Sequence, residues 1–168
     1  GREKGYPQRM GVGLIGSCTN SSYEDMGRAA SVARQAAEKK LPVRARFIVN
    51  PGSEQVRYTA ARDEIIADFE AIGGVVMTNA CGPCIGMGQS PRSGGVSLRT
   101  FNRNFEGRGG TADAQVYLVS PETAAASAIT GRFTDPRTLP TIEPFAMPER
   151  FTINDNMIDP PAGEDEYE

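Results

Sequence analysis

The chain has 168 residues, 39% hydrophobic and 23% charged, which is enough for one domain with a packed core and excludes disordered, fibrous and membrane-spanning classes. It contains no histidine, so Ser-His and Cys-His nucleophile pairs are excluded within it, and its three cysteines are too few for a disulfide framework. The net charge of −3 is uneven: Thr134 to Glu168 carries nine acids and two bases, leaving the remainder with a positive balance.

In chain order, the run Met10 to Gly16 is apolar and closed by glycine, as buried strands are. Thr19 to Ser22 then offer N-cap side chains for a helix whose apolar residues, Met26, Ala29, Ala30, Val32, Ala33, Ala36 and Ala37, recur at helical spacing. Leu41-Pro42 stops it. Ala45 to Val49 reads as a second strand, Pro51-Gly52-Ser53 as a turn, and Glu54 to Arg62 as a helix that continues from Asp63 to Ile72. Gly73-Gly74 breaks that helix before a third strand, Val75 to Thr78. Val96 to Thr100 and Val116 to Val119 supply two more strands, and Ser120-Pro121-Glu122 opens a last helix through Ala124 to Ile129, closed by Gly131. Strands alternating with helices predict an α/β three-layer sandwich, a mainly parallel sheet with helices on both faces.

The expected domain covers residues 1–135. Residues 136–168 hold half the prolines and end in GEDEYE, which reads as a Pro-rich acidic strap and linker. With Gly1 in place of a starting Met, the chain is expected to be a piece of something larger, from a reducing compartment.

Ligands of an open parallel sheet collect at the carboxyl ends of its strands. Cys18 follows the first expected strand by two residues, and Cys81 and Cys84, in NACGPCIG, follow the third. The three thiols leave two strands on one sheet edge and could meet. A zinc site would need an unusual carboxylate as fourth ligand, and a C-x-x-C redox pair would leave Cys18 idle. Three cysteines on a four-iron cluster would leave one iron free to bind substrate as a Lewis acid; inert thiols are the remaining alternative. After the fourth strand, NRNFEGRGG places Arg103 and Arg108 in a loop rich in Gly and Asn, where each guanidinium can fork onto a carboxylate, solvated surface charges being the alternative.

GSCTNSSYEDM at Gly16 to Met26, PGSEQVR at Pro51 to Arg57, NACGPCIG at Asn79 to Gly86, NRNFEGR at Asn102 to Arg108 and VSPETAAASAITG at Val119 to Gly131 resemble the aconitase family, in order and with similar separations. The resemblance covers about Met10 to Asp135 and is to one domain, the cluster-bearing third domain of a much longer enzyme. It implies that Cys18, Cys81 and Cys84 ligate a 4Fe-4S cluster with one iron lacking a protein ligand. It further implies that Arg103 and Arg108 bind substrate carboxylates, with Asn102 close to the cluster. The implied reaction is a hydro-lyase interconversion of citrate and isocitrate through cis-aconitate, in the bacterial cytoplasm or the mitochondrial matrix.

The implied base is a serine of the family's last domain, and an Asp-His pair from the earlier domains assists it. No catalytic residue is therefore expected in this chain, and the isolated piece is expected to be inactive without the missing aconitase domains. The loop IGMGQSPRSGG lacks the family's aromatic residue after the cysteine pair, and AAASAITGRFTD leans toward the related isopropylmalate dehydratases. An isopropylmalate or 2-methylcitrate-type substrate is the alternative, and an RNA-binding iron sensor or structural metal module the second. The mild charge and the lack of a basic-aromatic stripe argue against nucleic acid as a partner.

Overall fold

The structure, a computed structural model, describes residues 3–139, 144–156, 158–161 and 163. Five strands form one parallel sheet: β1 (Val12–Ile15), β2 (Arg46–Val49), β3 (Val75–Val76), β4 (Val96–Arg99) and β5 (Gln115–Leu118), in the order β3-β2-β1-β4-β5. Four helices accompany it: α1 (Tyr23–Glu38), α2 (Glu54–Arg62), α3 (Ile65–Ala71) and α4 (Pro121–Thr130). The strand order reverses between β1 and β4, and a crevice opens at such a switch point above the carboxyl ends of the strands.

Local chemistry sets the helix starts. Ser22 caps α1 in a capping box with Asp25, each side chain taking the other residue's backbone N–H. Ser53 and Ser120 cap α2 and α4, the latter followed by proline at the first helical position. The buried face of α1 consists largely of Gly27, Ala29, Ala30, Ala33 and Ala36, and that of α4 of Ala124, Ala125, Ala126 and Ala128. Small side chains on both helices let them approach closely while α4 also covers β1 and β2.

The sheet has two unlike faces. Ile15, Phe47 and Val49 belong to the large core with α1, α3 and α4. Val12, Leu14 and Ile48 form a second core with Cys84, Phe101 and Met77. The expected α/β sandwich is therefore observed, with its second outer layer built from the β3–β4 crossover and a one-turn 3-10 helix, Pro83–Ile85. That crossover carries five glycines and two prolines between Gly82 and Gly95, which accounts for the absence of a long helix there.

Three boundaries differ from expectation. The helix read through Asp63 breaks instead, because Asp63 caps α2 and Glu64 takes a left-handed conformation at φ 62° before α3 begins. The third strand is two residues long and lies at the sheet edge, with Val75 54% exposed. The fifth begins one residue earlier than expected.

Part of the acidic tail lies against the helical layer. The Phe145 and Phe151 rings pack on Tyr23 at 5.6 and 5.5 Å, the Thr152 N–H donates to Thr59 Oγ1 at 2.8 Å, and Arg62 Nη2 donates to the Arg150 carbonyl at 2.9 Å. Pro140 and the acidic residues after Gly163 lie outside the described residues.

Candidate functional site

The loops leaving β1, β2, β3 and β4 are stitched together at the carboxyl edge by three buried polar side chains. Ser21, at the end of the Cys18 loop, donates its hydroxyl to the Asn50 carbonyl at 2.5 Å, and the Asn50 amide donates to the Ala80 carbonyl at 2.7 Å. The segments carrying Cys18 and Cys81 are thus joined through the residue that follows β2. On the other side of the crevice, Thr100 Oγ1 accepts the Gly16 N–H at 3.0 Å and shares its proton between the Gly16 and Asn20 carbonyls, at 2.8 and 2.9 Å. Gly52 lies so near the β1 loop that an added Cβ would stand 2.9 Å from the Ser21 carbonyl.

Cys18 is exposed. Its sulfur lies 3.7 Å from the Thr19 hydroxyl and 4.0 Å from that of Ser17, and these contacts, Thr19 first, hold the thiol below its ordinary pKa. Hydrogen bonds to the sulfur favour the thiolate, the form that binds metal. Cys81 is also exposed, whereas Cys84, inside the 3-10 turn, is buried against Phe101 and the second core.

The turn docks on the loop after β4. Gly86 has φ 75°, and a Cβ there would meet the backbone of Gly109 and Gly110 at 2.7 Å, so only glycine permits both this conformation and this approach. The docking brings Arg108 Nη2 to 3.9 Å from Cys84 Sγ. Beneath the turn, Arg99 is completely buried; its Nη2 donates to the Cys84 carbonyl at 3.0 Å and its guanidinium lies 4.7 Å from the Phe101 ring centroid. Arg99 Nε and Nη1 and Arg108 Nε are buried without a hydrogen-bond partner among the described residues, as are the side-chain oxygens of Asn20, Asn50 and Asn104. Buried polar groups are rarely left without a partner.

Of the expected site residues, Cys84 and Arg108 are brought into contact, while Cys18 and Cys81 sit on loops linked through Asn50. Asn102 and Arg103 are exposed. Among the described residues no three Cys, Asp or Glu side chains gather as ligands of a single ion do. A four-iron cubane makes a different demand, since its thiolates grip separate corners. Three cysteines on loops leaving the carboxyl edge, with unpartnered guanidinium donors beside Cys84, would suit such an anionic, sulfur-ligated group. Asn50, Thr100 and Arg99 were missed in the sequence. The signal available was a polar residue directly following each of β2 and β4, and a charge at the end of the strand VSLR.

The aconitase family (aconitate hydratase) matches residues 2–131. The mitochondrial aconitate hydratase of Candida albicans is 51% identical over 132 residues, 76% of this chain and 17% of that protein. That of Gracilaria gracilis is 46% identical over 134 residues, 77% of this chain and 17% of that protein. That of Emericella nidulans is 44% identical over 138 residues, with the same coverages of 77% and 17%. The chain therefore spans 17% of the length of these curated relatives. Among the described residues no helix is long and apolar enough to cross a membrane.

Proposed function

Because the chain belongs to the aconitase family, we propose that it forms the cluster-bearing wall of an aconitate hydratase site, a hydro-lyase acting on citrate, cis-aconitate and isocitrate. Residues 1–135 are the cluster domain and 136–168 the strap leading from it. Cys18, Cys81 and Cys84 hold the 4Fe-4S cluster. The observation that carries this reading is the contact of Arg108 with Cys84, which sets a carboxylate-binding group beside a ligand sulfur.

The bound cluster supplies a Lewis-acidic iron without a protein ligand, suited to a substrate hydroxyl. The chain's own contribution is binding and orientation. Arg108 presents a guanidinium fork to one substrate carboxylate, and Arg103, exposed on the same loop, is free to take another. Asn102, exposed between Phe101 and Arg103 in the sequence, is the amide the resemblance places close to the cluster. The loop bonds of Asn50 and Thr100 fix the spacing of these groups, which matters because misplacement of a binding group by about 1 Å can cost a hundredfold in rate. Dehydration also needs a base for a carbon-bound proton and an acid for the leaving hydroxide; the family resemblance assigns these to the other domains of the enzyme, and the histidine of its Asp-His pair has no counterpart in this chain. The mitochondrial names of the relatives favour a mitochondrial-type enzyme and citrate over isopropylmalate or 2-methylcitrate.

Anaerobic reconstitution of the chain with iron and sulfide tests the reading. A brown protein absorbing near roughly 400 nm is expected, the colour being lost in each of Cys18→Ser, Cys81→Ser and Cys84→Ser, with no citrate turnover by the chain alone. A colourless protein with all three cysteines intact, or colour that survives Cys18→Ser, refutes it.

A further inference from the structure

Arg99 stands on β4, where it pairs with Leu14 of β1 in the middle of the sheet, a register position that ordinarily holds an apolar side chain. It is 0% exposed, so neither solvent nor substrate reaches its guanidinium. No carboxylate pairs with it among the described residues: Nη2 is used on the Cys84 carbonyl, Nη1 is pressed against Gly109, where a Cβ would collide with it, and Nε has no acceptor. The nearest like charge, Arg108, adds repulsion.

A buried charge left uncompensated is destabilising, and an apolar side chain of similar volume is usually at least as good for the fold. Methionine would fill this strand position and pack on Phe101 without leaving unpaired donors. The arginine is therefore explained by something anionic that the protein acquires at Cys84, and three thiolates around a four-iron core carry a net negative charge. We infer that Arg99 is a positioning residue for the Cys84 corner: it fixes the turn through the Cys84 carbonyl and supplies, out of solvent, the counter-charge for the sulfur-ligated group bound there. The inference rests on the cluster reading above. It assigns Arg99 a role separate from that of Arg108, whose Nη2 lies 3.9 Å from the Cys84 sulfur.

The test compares the chain with Arg99→Met and Arg99→Lys, each measured without metal and after reconstitution with iron and sulfide. Without the cluster, Arg99→Met is expected to melt no lower than the parent, since it removes an uncompensated buried charge. With the cluster, one-electron reduction by dithionite through mediators, followed by the spin resonance of the reduced cluster, reads the counter-charge. Reduction adds a negative charge to the cluster, so losing the guanidinium should lower the reduced-to-oxidised ratio at a fixed potential by about tenfold, equivalent to about 59 mV for one electron. Arg99→Lys should keep most of the parent's ratio. An Arg99→Met chain that melts lower than the parent without metal, or a ratio unchanged from the parent's, overturns the inference while leaving the cluster reading intact. A parent chain that takes up no cluster overturns the cluster reading itself, and this inference with it.

Discussion

Replacing Thr100 with valine tests whether the crevice is held closed by one hydroxyl. Valine keeps the shape of threonine at a site only 3% exposed, so packing is conserved and only the hydrogen bonds are lost. The Gly16 N–H, which donates to Oγ1 at 3.0 Å, would then be buried without an acceptor, and the Gly16 and Asn20 carbonyls would lose the proton they share. An orphaned buried donor costs about 1–3 kcal/mol and a lost neutral hydrogen bond about 1 kcal/mol, so a loss of about 2–3 kcal/mol is expected. For a domain of this size each kcal/mol lowers Tm by about 2–4 °C, which places the shift at about 4–12 °C. Differential scanning calorimetry measures it, and native-state hydrogen exchange locates it, because the Gly16 amide should exchange much faster in the variant. Thr100→Ser, which retains the hydroxyl, should lose only about 1 kcal/mol for the methyl. A valine variant within about 0.5 kcal/mol of the parent, or an unchanged Gly16 exchange rate, would show that the β1 and β4 loops are held by packing alone.

Gly86→Ala should lower stability by about 2 kcal/mol or more and prevent cluster uptake, because it adds the left-handed backbone penalty to a 2.7 Å approach against the Gly109–Gly110 backbone; calorimetry and visible absorbance read the two effects. Tyr23, buried and hydrogen-bonded to the Asp63 carboxylate at 2.7 Å, has its pKa raised to about 12, burial being the larger cause and Asp63 the second. A group whose folded pKa is raised stabilises fully below its unfolded pKa and loses that contribution as pH rises, so on the order of 2 kcal/mol should disappear between pH about 10 and about 12. Urea unfolding of Tyr23→Phe across that range should lack this decline, and equal pH dependence in both chains refutes the assignment. Gly27→Ala should dislodge the strap, since its Cβ would collide with the Phe145 ring, and limited trypsin digestion should then cut after Arg150 sooner than in the parent.

What was legible in the sequence was whatever is decided within a few residues. The caps Ser22, Ser53 and Ser120 and the apolar spacing of α1 and α4 announce their helices because the interactions are local. The break at Asp63-Glu64 was not legible: neither residue is a breaker, and the left-handed Glu64 is imposed by the need to fold α3 back onto α1. The placing of the cysteines on loops at the carboxyl edge was legible, because that edge of a parallel sheet is where the strand-to-helix loops leave whatever the detail. Asn50 and Thr100 could not, since their partners lie 30 and 84 residues away and a polar residue closing a strand looks like the start of any loop. Arg99 was hidden by a different ignorance: in VSLR a charge at the strand's end reads as solvent-facing unless β4 is known to lie between β1 and β5.

The interior position of β4, next to the switch point, also decides how the loops meet at the carboxyl edge. At the switch point the loop after β1 turns toward the face covered by α1 and α4, whereas the β3–β4 crossover lies on the opposite face with Cys84 in its core. Cys18 and Cys84 therefore approach the carboxyl edge from opposite sides of the sheet, with Asn50 and Thr100 spanning the gap beneath them. Any group held between them would sit on the edge, not inside the domain, with its outer side left for other protein to close. The exposure of Cys18, Cys81, Asn102 and Arg103 follows from the same geometry, because these are the residues on the open side. In the proposed reading this chain, which spans 17% of its relatives' length, supplies binding groups on one side of a crevice, and the acid and base of the dehydration belong to what packs against that edge.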